Sequence, residues 1–112
     1  MLVSMLRHPD VIRVDLTSLR TGLMTGAACP VGVVAEAVER LHLRELTVGY
    51  GQTETTAIIT QTRTEDSIDV RTTTVGRALP SVEVRIVDPK TGVGVPVGVE
   101  GELCCRGSLV MR

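Results

Sequence analysis

Five consecutive residues, Tyr50-Gly51-Gln52-Thr53-Glu54, combine an aromatic ring, a flexible backbone point, a hydroxyl group and a carboxylate. The ring could stack on a base, the hydroxyl of Thr53 could bond a phosphate oxygen, and the carboxylate of Glu54 could bind a hard cation such as Mg2+. Tyr50 is the only aromatic residue, since the chain has no Phe or Trp, so routine core packing explains it poorly. A second interpretation stays open, in which Thr53 caps a helix and Glu54 favours its dipole.

A second segment rich in small residues precedes it, Gly26-Ala27-Ala28-Cys29-Pro30. Small residues ahead of a proline let the backbone approach a ligand closely. The same segment could also be only a tight connection between a strand and a helix.

Hydrophobic patterning predicts the elements that position these two segments. Residues 19–24 read as a strand, and the apolar face over residues 30–43 predicts a helix that Pro30 would begin. A short buried strand is predicted over residues 45–50. Strand, helix and strand together predict a βαβ unit with parallel strands, whose carboxyl ends meet at one edge of the sheet. The two polar or small-residue segments should therefore lie side by side.

The second half of the chain has a different character. The Thr-rich stretch 63–74 predicts a surface loop, and from Val75 onward the pattern is all-β, with clean alternation over residues 82–86 and another strand over 102–106. We therefore divide the chain into an α/β part, 1–60, and a β part, 61–112, which together form one incomplete domain. Arg106 is expected to pair locally with Glu102.

Composition restricts the function classes. The 12 basic residues are scattered and balanced by 13 acidic ones, which argues against a nucleic-acid partner. The longest apolar runs are too short to span a bilayer. Three cysteines that include a vicinal pair make a poor disulfide framework, so we expect reduced thiols in a cytoplasmic setting. Both histidines lack ligands at metal-binding spacing and are expected at the surface.

Four ordered segments resemble the adenylate-forming (AMP-dependent ligase) superfamily, and most closely its fatty-acyl-CoA synthetases. The segment 26–30 is similar to the family's Gly-Gly-Ala-Pro type of loop, and 50–54 matches its Tyr-Gly-x-Thr-Glu motif in full. Val75-Gly76-Arg77 and the strand after it resemble the next strands of the family, and 101–107 matches Gly-Glu-Leu-x-x-Arg-Gly. The resemblance covers nearly the whole chain.

The resemblance implies a fold, a reaction and residue roles. The fold would be a piece of the family's large N-terminal domain, with a partial βαβ sheet unit followed by a distorted-barrel segment. The reaction joins a carboxylic acid to ATP, giving acyl-AMP, and then to coenzyme A, with Mg2+ as the metal. The implied adenine-pocket residues are Gly26, Ala27, Ala28, Tyr50 and Gly51; the residues at the phosphates and the metal are Thr53 and Glu54; and the residues near the acyl group are Gly49 and Gly51.

Several parts of the family's site have no counterpart in this sequence. The Lys-containing pyrophosphate loop, the ribose-binding Asp and the C-terminal catalytic Lys are all missing, and phosphoryl transfer needs such groups in place. We therefore expect an internal fragment that is inactive in isolation. The acid could be fatty, aryl or an amino acid. Alternatively, the chain could be a non-catalytic module that binds a nucleotide or completes a partner, self-associating through exposed β edges.

Overall fold

The computed structural model describes residues 1–111, and its first half forms the predicted βαβ unit. Strand β1 (Thr21–Met24) is followed by helix α2 (Val31–Arg40) and strand β2 (Glu45–Tyr50), after the short helix α1 (Leu2–Leu6) and a 3-10 turn at Pro9–Arg13. The two strands are parallel, with Thr21 opposite Glu45 and Met24 opposite Val48. The predicted topology is therefore confirmed.

One apolar cluster holds this unit together. Val34 and Ala37 on α2 and Leu41 directly after it are fully buried. They pack with Leu43, in the turn before β2, and with Leu46 on β2. Burying a Val or Leu side chain contributes about 1.5–3 kcal/mol, so this aliphatic cluster does the work that aromatic residues do in most cores.

The sheet continues beyond β2. Strands β3 (Thr60–Gln61) and β4 (Arg77–Ala78) extend it antiparallel, in the order β1-β2-β3-β4. The sheet thus joins residues on both sides of the 60/61 boundary, and the division into two parts stays a prediction.

The predicted loop over residues 63–74 contains a helix, so that prediction was wrong. Helix α3 spans Ile68–Thr73, and the side chain of Ser67 caps it by accepting a hydrogen bond from the Val70 N–H at 3.3 Å. The three threonine hydroxyls at its end donate to carbonyls of the helix itself (Thr72, Thr73, Thr74). The Ser67 cap and the acidic Asp69 in the first turn offset the weak helix propensity of threonine.

The last strands, β5 (Val82–Val87) and β6 (Glu102–Gly107), form a separate antiparallel pair. Within residues 1–111 this β segment is an open two-stranded sheet and no barrel closes, because a barrel requires more strands. Arg106 pairs across the strands with Glu83, at 2.5 Å, rather than with Glu102 as predicted. The antiparallel register places those two residues opposite each other.

No helix among the described residues has the length and apolar character needed to traverse a bilayer.

Candidate functional site

A cavity of about 630 Å³ opens where the two parallel strands end. Three segments line it: the small-residue loop, the end of β2, and the end of α3 with the residues after it. Its lining residues are Gly26, Ala27, Ala28, Cys29, Pro30, Val48, Gly49, Tyr50, Gly51, Thr72, Thr73, Thr74 and Val75. Of the two segments expected side by side, the small-residue loop and the Tyr50-Gly51 end of the other meet at this cavity, and a third wall joins them.

The small-residue loop is open on the side that a ligand would approach. Gly26 has a φ of 81°, in the left-handed region that favours glycine, and a Cβ built on it would meet no heavy atom within 4 Å. Ala27 and Ala28 are exposed. The backbone turn requires glycine here, while the space beside it is free for another molecule.

The two glycines that flank Tyr50 differ in their surroundings. A Cβ on Gly51 would lie 2.4 Å from the carbonyl oxygen of Ala57, so no side chain fits without moving the backbone. A Cβ on Gly49 would lie 3.3 Å from Leu23 Cδ1 and 3.5 Å from Ile58, which is close but tolerable contact. Backbone packing alone is a sufficient reason for Gly51, and the acyl-lining roles of both glycines stay predictions.

Tyr50 ends the buried stretch of β2. The four residues before it are buried, whereas Tyr50 is 43% exposed. Its carbonyl oxygen accepts a hydrogen bond from the Ile59 N–H at 2.7 Å, and its backbone pairs with Thr60 on β3. A rigid backbone thus presents an uncovered aromatic ring at the cavity.

Thr53 and Glu54 lie on a 3-10 turn, Thr53–Thr55, and do not line the cavity. Gln52 rather than Thr53 is the residue at the cap position. Its N–H donates to Thr55 Oγ1 at 3.2 Å, and its carbonyl accepts from the Thr55 N–H at 3.0 Å. Both predicted residues have exposed side chains. Residues after β6 hold the turn in place. The carbonyl of Glu54 accepts from the Met111 N–H at 2.8 Å, and Thr56 Oγ1 donates to the Leu109 carbonyl at 2.9 Å.

The described residues contain one carboxylate suited to a metal in this region. Within residues 1–111 the Glu54 carboxylate has no hydrogen-bond or ion-pair partner, and no group of three or more His, Cys, Asp or Glu side chains comes together. Mg2+ is commonly held by one or two carboxylates, with substrate phosphates and waters as its other ligands. A single unpaired carboxylate fits that mode of binding.

The third wall of the cavity, residues 72–75, was missed by the sequence analysis. Its hydroxyl protons are used within the helix, as described above, so Thr72, Thr73 and Thr74 present methyl groups and oxygen lone pairs. The signal that could have found this wall is Ser67 followed by Asp69, a helix cap with an acidic residue in the first turn.

The cavity is electrically neutral. None of its described lining residues is charged, and burial raises the pKa of the Cys29 thiol above its ordinary value. An uncharged site with one aromatic side chain and exposed small residues suits a flat heterocycle better than a chain of phosphates.

Comparisons with known proteins agree with this geometry. The family model described as "AMP-binding enzyme" matches residues 1–112. The chain is 48% identical over its whole length to the provisionally named acyl-CoA synthetase YngI of Bacillus subtilis (strain 168), and 38% identical over 99% of its length to the mitochondrial medium-chain acyl-CoA ligase ACSF2 of Danio rerio. It covers 20% and 18% of these two proteins, about a fifth of their length.

Solved structures of similar fold include an amide bond synthetase and an anthranilate CoA ligase. The amide bond synthetase McbA from Marinactinospora thermotolerans shares 37% identity at a TM-score of 0.83, over 98% of this chain and 22% of that one. The anthranilate CoA ligase AuaEII, in complex with anthranoyl-AMP, shares 26% identity at a TM-score of 0.84, over 97% of this chain and 20% of that one. The family match over the full sequence, together with these folds, shows that the chain belongs to the AMP-binding enzyme family.

Proposed function

We propose that this chain is the adenine-binding segment of an ATP-dependent fatty-acyl-CoA synthetase. The observation that carries the proposal is the neutral cavity in which the only aromatic side chain, Tyr50, lines one wall and the exposed small-residue loop lines the next. A purine ring gains from stacking on an aromatic face and from close backbone approach, and this cavity offers both.

The proposed reaction has two steps. A carboxylate oxygen of the acid attacks the α-phosphorus of ATP, so that acyl-AMP forms and pyrophosphate leaves. The thiol sulfur of coenzyme A then attacks the acyl carbonyl carbon, the acyl–phosphate bond breaks and AMP leaves. Charge develops on phosphate oxygens in the first step, and cations must offset it. Because no described residue of the cavity is charged, we expect those cations to lie outside the cavity.

The proposed roles follow the three parts of the site. Gly26, Ala27 and Ala28 line the adenine pocket, and Tyr50 packs on the ring with Gly51 beside it. The hydroxyl of Thr53 donates a hydrogen bond to a phosphate oxygen. Glu54 binds Mg2+, which neutralises phosphate charge when bound. Gly49 and Gly51 lie against the acyl group.

The acid class is the least constrained part of the proposal. A fatty acid is favoured by the relatives, which include a medium-chain acyl-CoA ligase. An aryl acid is the second candidate, because one neighbour of similar fold is an anthranilate CoA ligase.

A cytoplasmic location stays a prediction.

The test is ATP–pyrophosphate exchange by the full-length polypeptide that carries this segment, with hexanoate, palmitate, benzoate and anthranilate as separate substrates. We expect exchange with the fatty acids and, after addition of coenzyme A, release of AMP. Exchange with the aryl acids alone would replace the fatty-acid assignment. Nucleotide binding without exchange for any acid would favour a non-catalytic binding module instead. The isolated chain should give no exchange, and turnover by it would contradict the incomplete site.

A further inference from the structure

Arg71 is a buried cation whose partners are all main-chain oxygens. The residue is 7% exposed. Its Nε donates to the Asp66 carbonyl at 2.7 Å, and its Nη1 donates to the carbonyls of Leu46, at 2.8 Å, and Arg44, at 3.1 Å. Within residues 1–111 no carboxylate forms an ion pair with it. Burying a charge is costly unless hydrogen bonds replace its lost hydration, so this guanidinium has a fixed position.

The partners of Arg71 lie in or just before the two elements that lead into two walls of the cavity. Leu46 is in β2, the strand that ends in Tyr50, and Arg44 directly precedes that strand. Asp66 lies just before α3, whose last residues and their successors, 72–75, form the third wall. The guanidinium therefore links the wall formed by α3 directly to the strand that presents the aromatic ring.

Other polar contacts hold the same segment at positions away from the start of β2. Arg77 Nη1 lies 3.2 Å from Asp66 Oδ1, and Thr60 Oγ1 donates to the Val75 carbonyl at 2.7 Å. These bonds hold the segment to itself and to β3. Only the Arg71 side chain bridges α3 and β2 by side-chain hydrogen bonds in the described part of the chain.

We propose that Arg71 is a positioning residue for the nucleotide cavity: its guanidinium, bonded to the carbonyls of Leu46, Arg44 and Asp66, holds residues 72–75 at the distance from Tyr50 that an adenine ring requires. This inference rests on the proposed function. Arg71 touches no reacting atom and acts through the placement of the wall. Its planar fork donates in two directions at once, which a lysine ammonium on a flexible stem reproduces poorly.

The experiment compares Arg71→Met and Arg71→Lys with wild type in the full-length polypeptide. The matched control is Arg63→Met, an exposed arginine of the same segment whose side chain lies 3.7 Å from Glu65. Steady-state kinetics give KM for ATP, KM for the acid and kcat, and thermal unfolding gives Tm. We expect Arg71→Met to raise KM for ATP about tenfold with KM for the acid and kcat within about threefold, since the lost interaction is one of binding.

Arg71→Lys should lie between Arg71→Met and wild type, and Arg63→Met should match wild type. An unchanged KM for ATP in both Arg71 variants overturns the proposal, even if Tm falls. Failure of both variants to fold also overturns it, because Arg71 would then stabilise the whole domain rather than set the cavity. Absence of ATP-dependent activity in the wild type would instead defeat the proposed function, which separates the two failures.

Discussion

The α/β region and the β5–β6 pair use similar residues in different ways. In the α/β region, Val, Leu and Ala from α2 and β2 meet in one buried cluster, and polar bonds such as those of Arg71 connect segments distant in sequence. In the β5–β6 pair only Val82 and Val87 are buried, and the other side chains of both strands remain wholly or partly exposed. The candidate site therefore lies beside the only well-packed core among the described residues. A rigid frame is needed to keep the walls of a binding cavity at a fixed separation.

The largest expected effect comes from the core of the α/β region. Leu46→Ala should lower the free energy of unfolding of the isolated chain by about 2–5 kcal/mol, because it leaves a cavity in the buried cluster. Leu103→Ala, at a half-buried position of β6, is the matched control and should cost less than half as much. Urea denaturation followed by circular dichroism measures both. Equal losses would mean that the two regions are equally well packed.

The second expected effect is a loss of catalytic rate that only a carboxylate of the α/β region should produce. In the full-length polypeptide, Glu54→Gln should lower the rate of Mg-dependent ATP–pyrophosphate exchange about a hundredfold, the scale of losing one electrostatic contact to a transition state. Glu102→Gln, an equally exposed carboxylate on β6, should leave the rate unchanged. An unaltered rate in Glu54→Gln would remove that residue from the metal role.

A third effect concerns the acid stability of the cavity's third wall. The Arg63 N–H, with help from Arg77, lowers the pKa of Asp66 below its ordinary value of 3.8. A lowered carboxyl pKa contributes stability that is present above the unfolded-state pKa and is lost as pH falls through the folded-state value. The urea midpoint of the chain should therefore fall as pH is lowered from about 5 through the ordinary value and below it.

The matched variant for that effect is Asp66→Asn, which should be less stable than wild type at neutral pH and should lose less stability on acidification. Identical pH profiles for the two proteins would show that Asp66 does not hold the segment.

The smallest expected effect lies in the β5–β6 pair. Arg106 and Glu83 form an ion pair whose side chains are 80% and 70% exposed. Exposed pairs contribute at most about 1 kcal/mol, and salt screens them. A double-mutant cycle with Arg106→Ala and Glu83→Ala should give a coupling energy below that limit that shrinks in high salt. A larger, salt-insensitive coupling would mean that the surface of this pair is more ordered than the exposure indicates.

Sequence reasoning succeeded where the signal was local. The helix after Pro30 and the buried strand before Tyr50 follow from the hydrophobic period and from proline chemistry. It failed at α3, because a Thr-rich stretch has low helix propensity and the cap at Ser67 was overlooked. It also misassigned the partner of Arg106. Glu102 and Arg106 are four residues apart on one extended strand and therefore too distant to pair, whereas the antiparallel register places Glu83 directly opposite Arg106.

By itself, the sequence determined the βαβ unit, the family resemblance and the two segments that meet at the carboxyl ends of the strands. Those features depend on short-range sequence patterns and on the direction of the strands. Tertiary structure alone decided that residues 72–75 close the cavity, that Thr53 and Glu54 stand outside it, and that Arg71 reaches the carbonyls of Arg44 and Leu46. These outcomes depend on contacts between residues far apart in the chain, whose geometry no local pattern specifies.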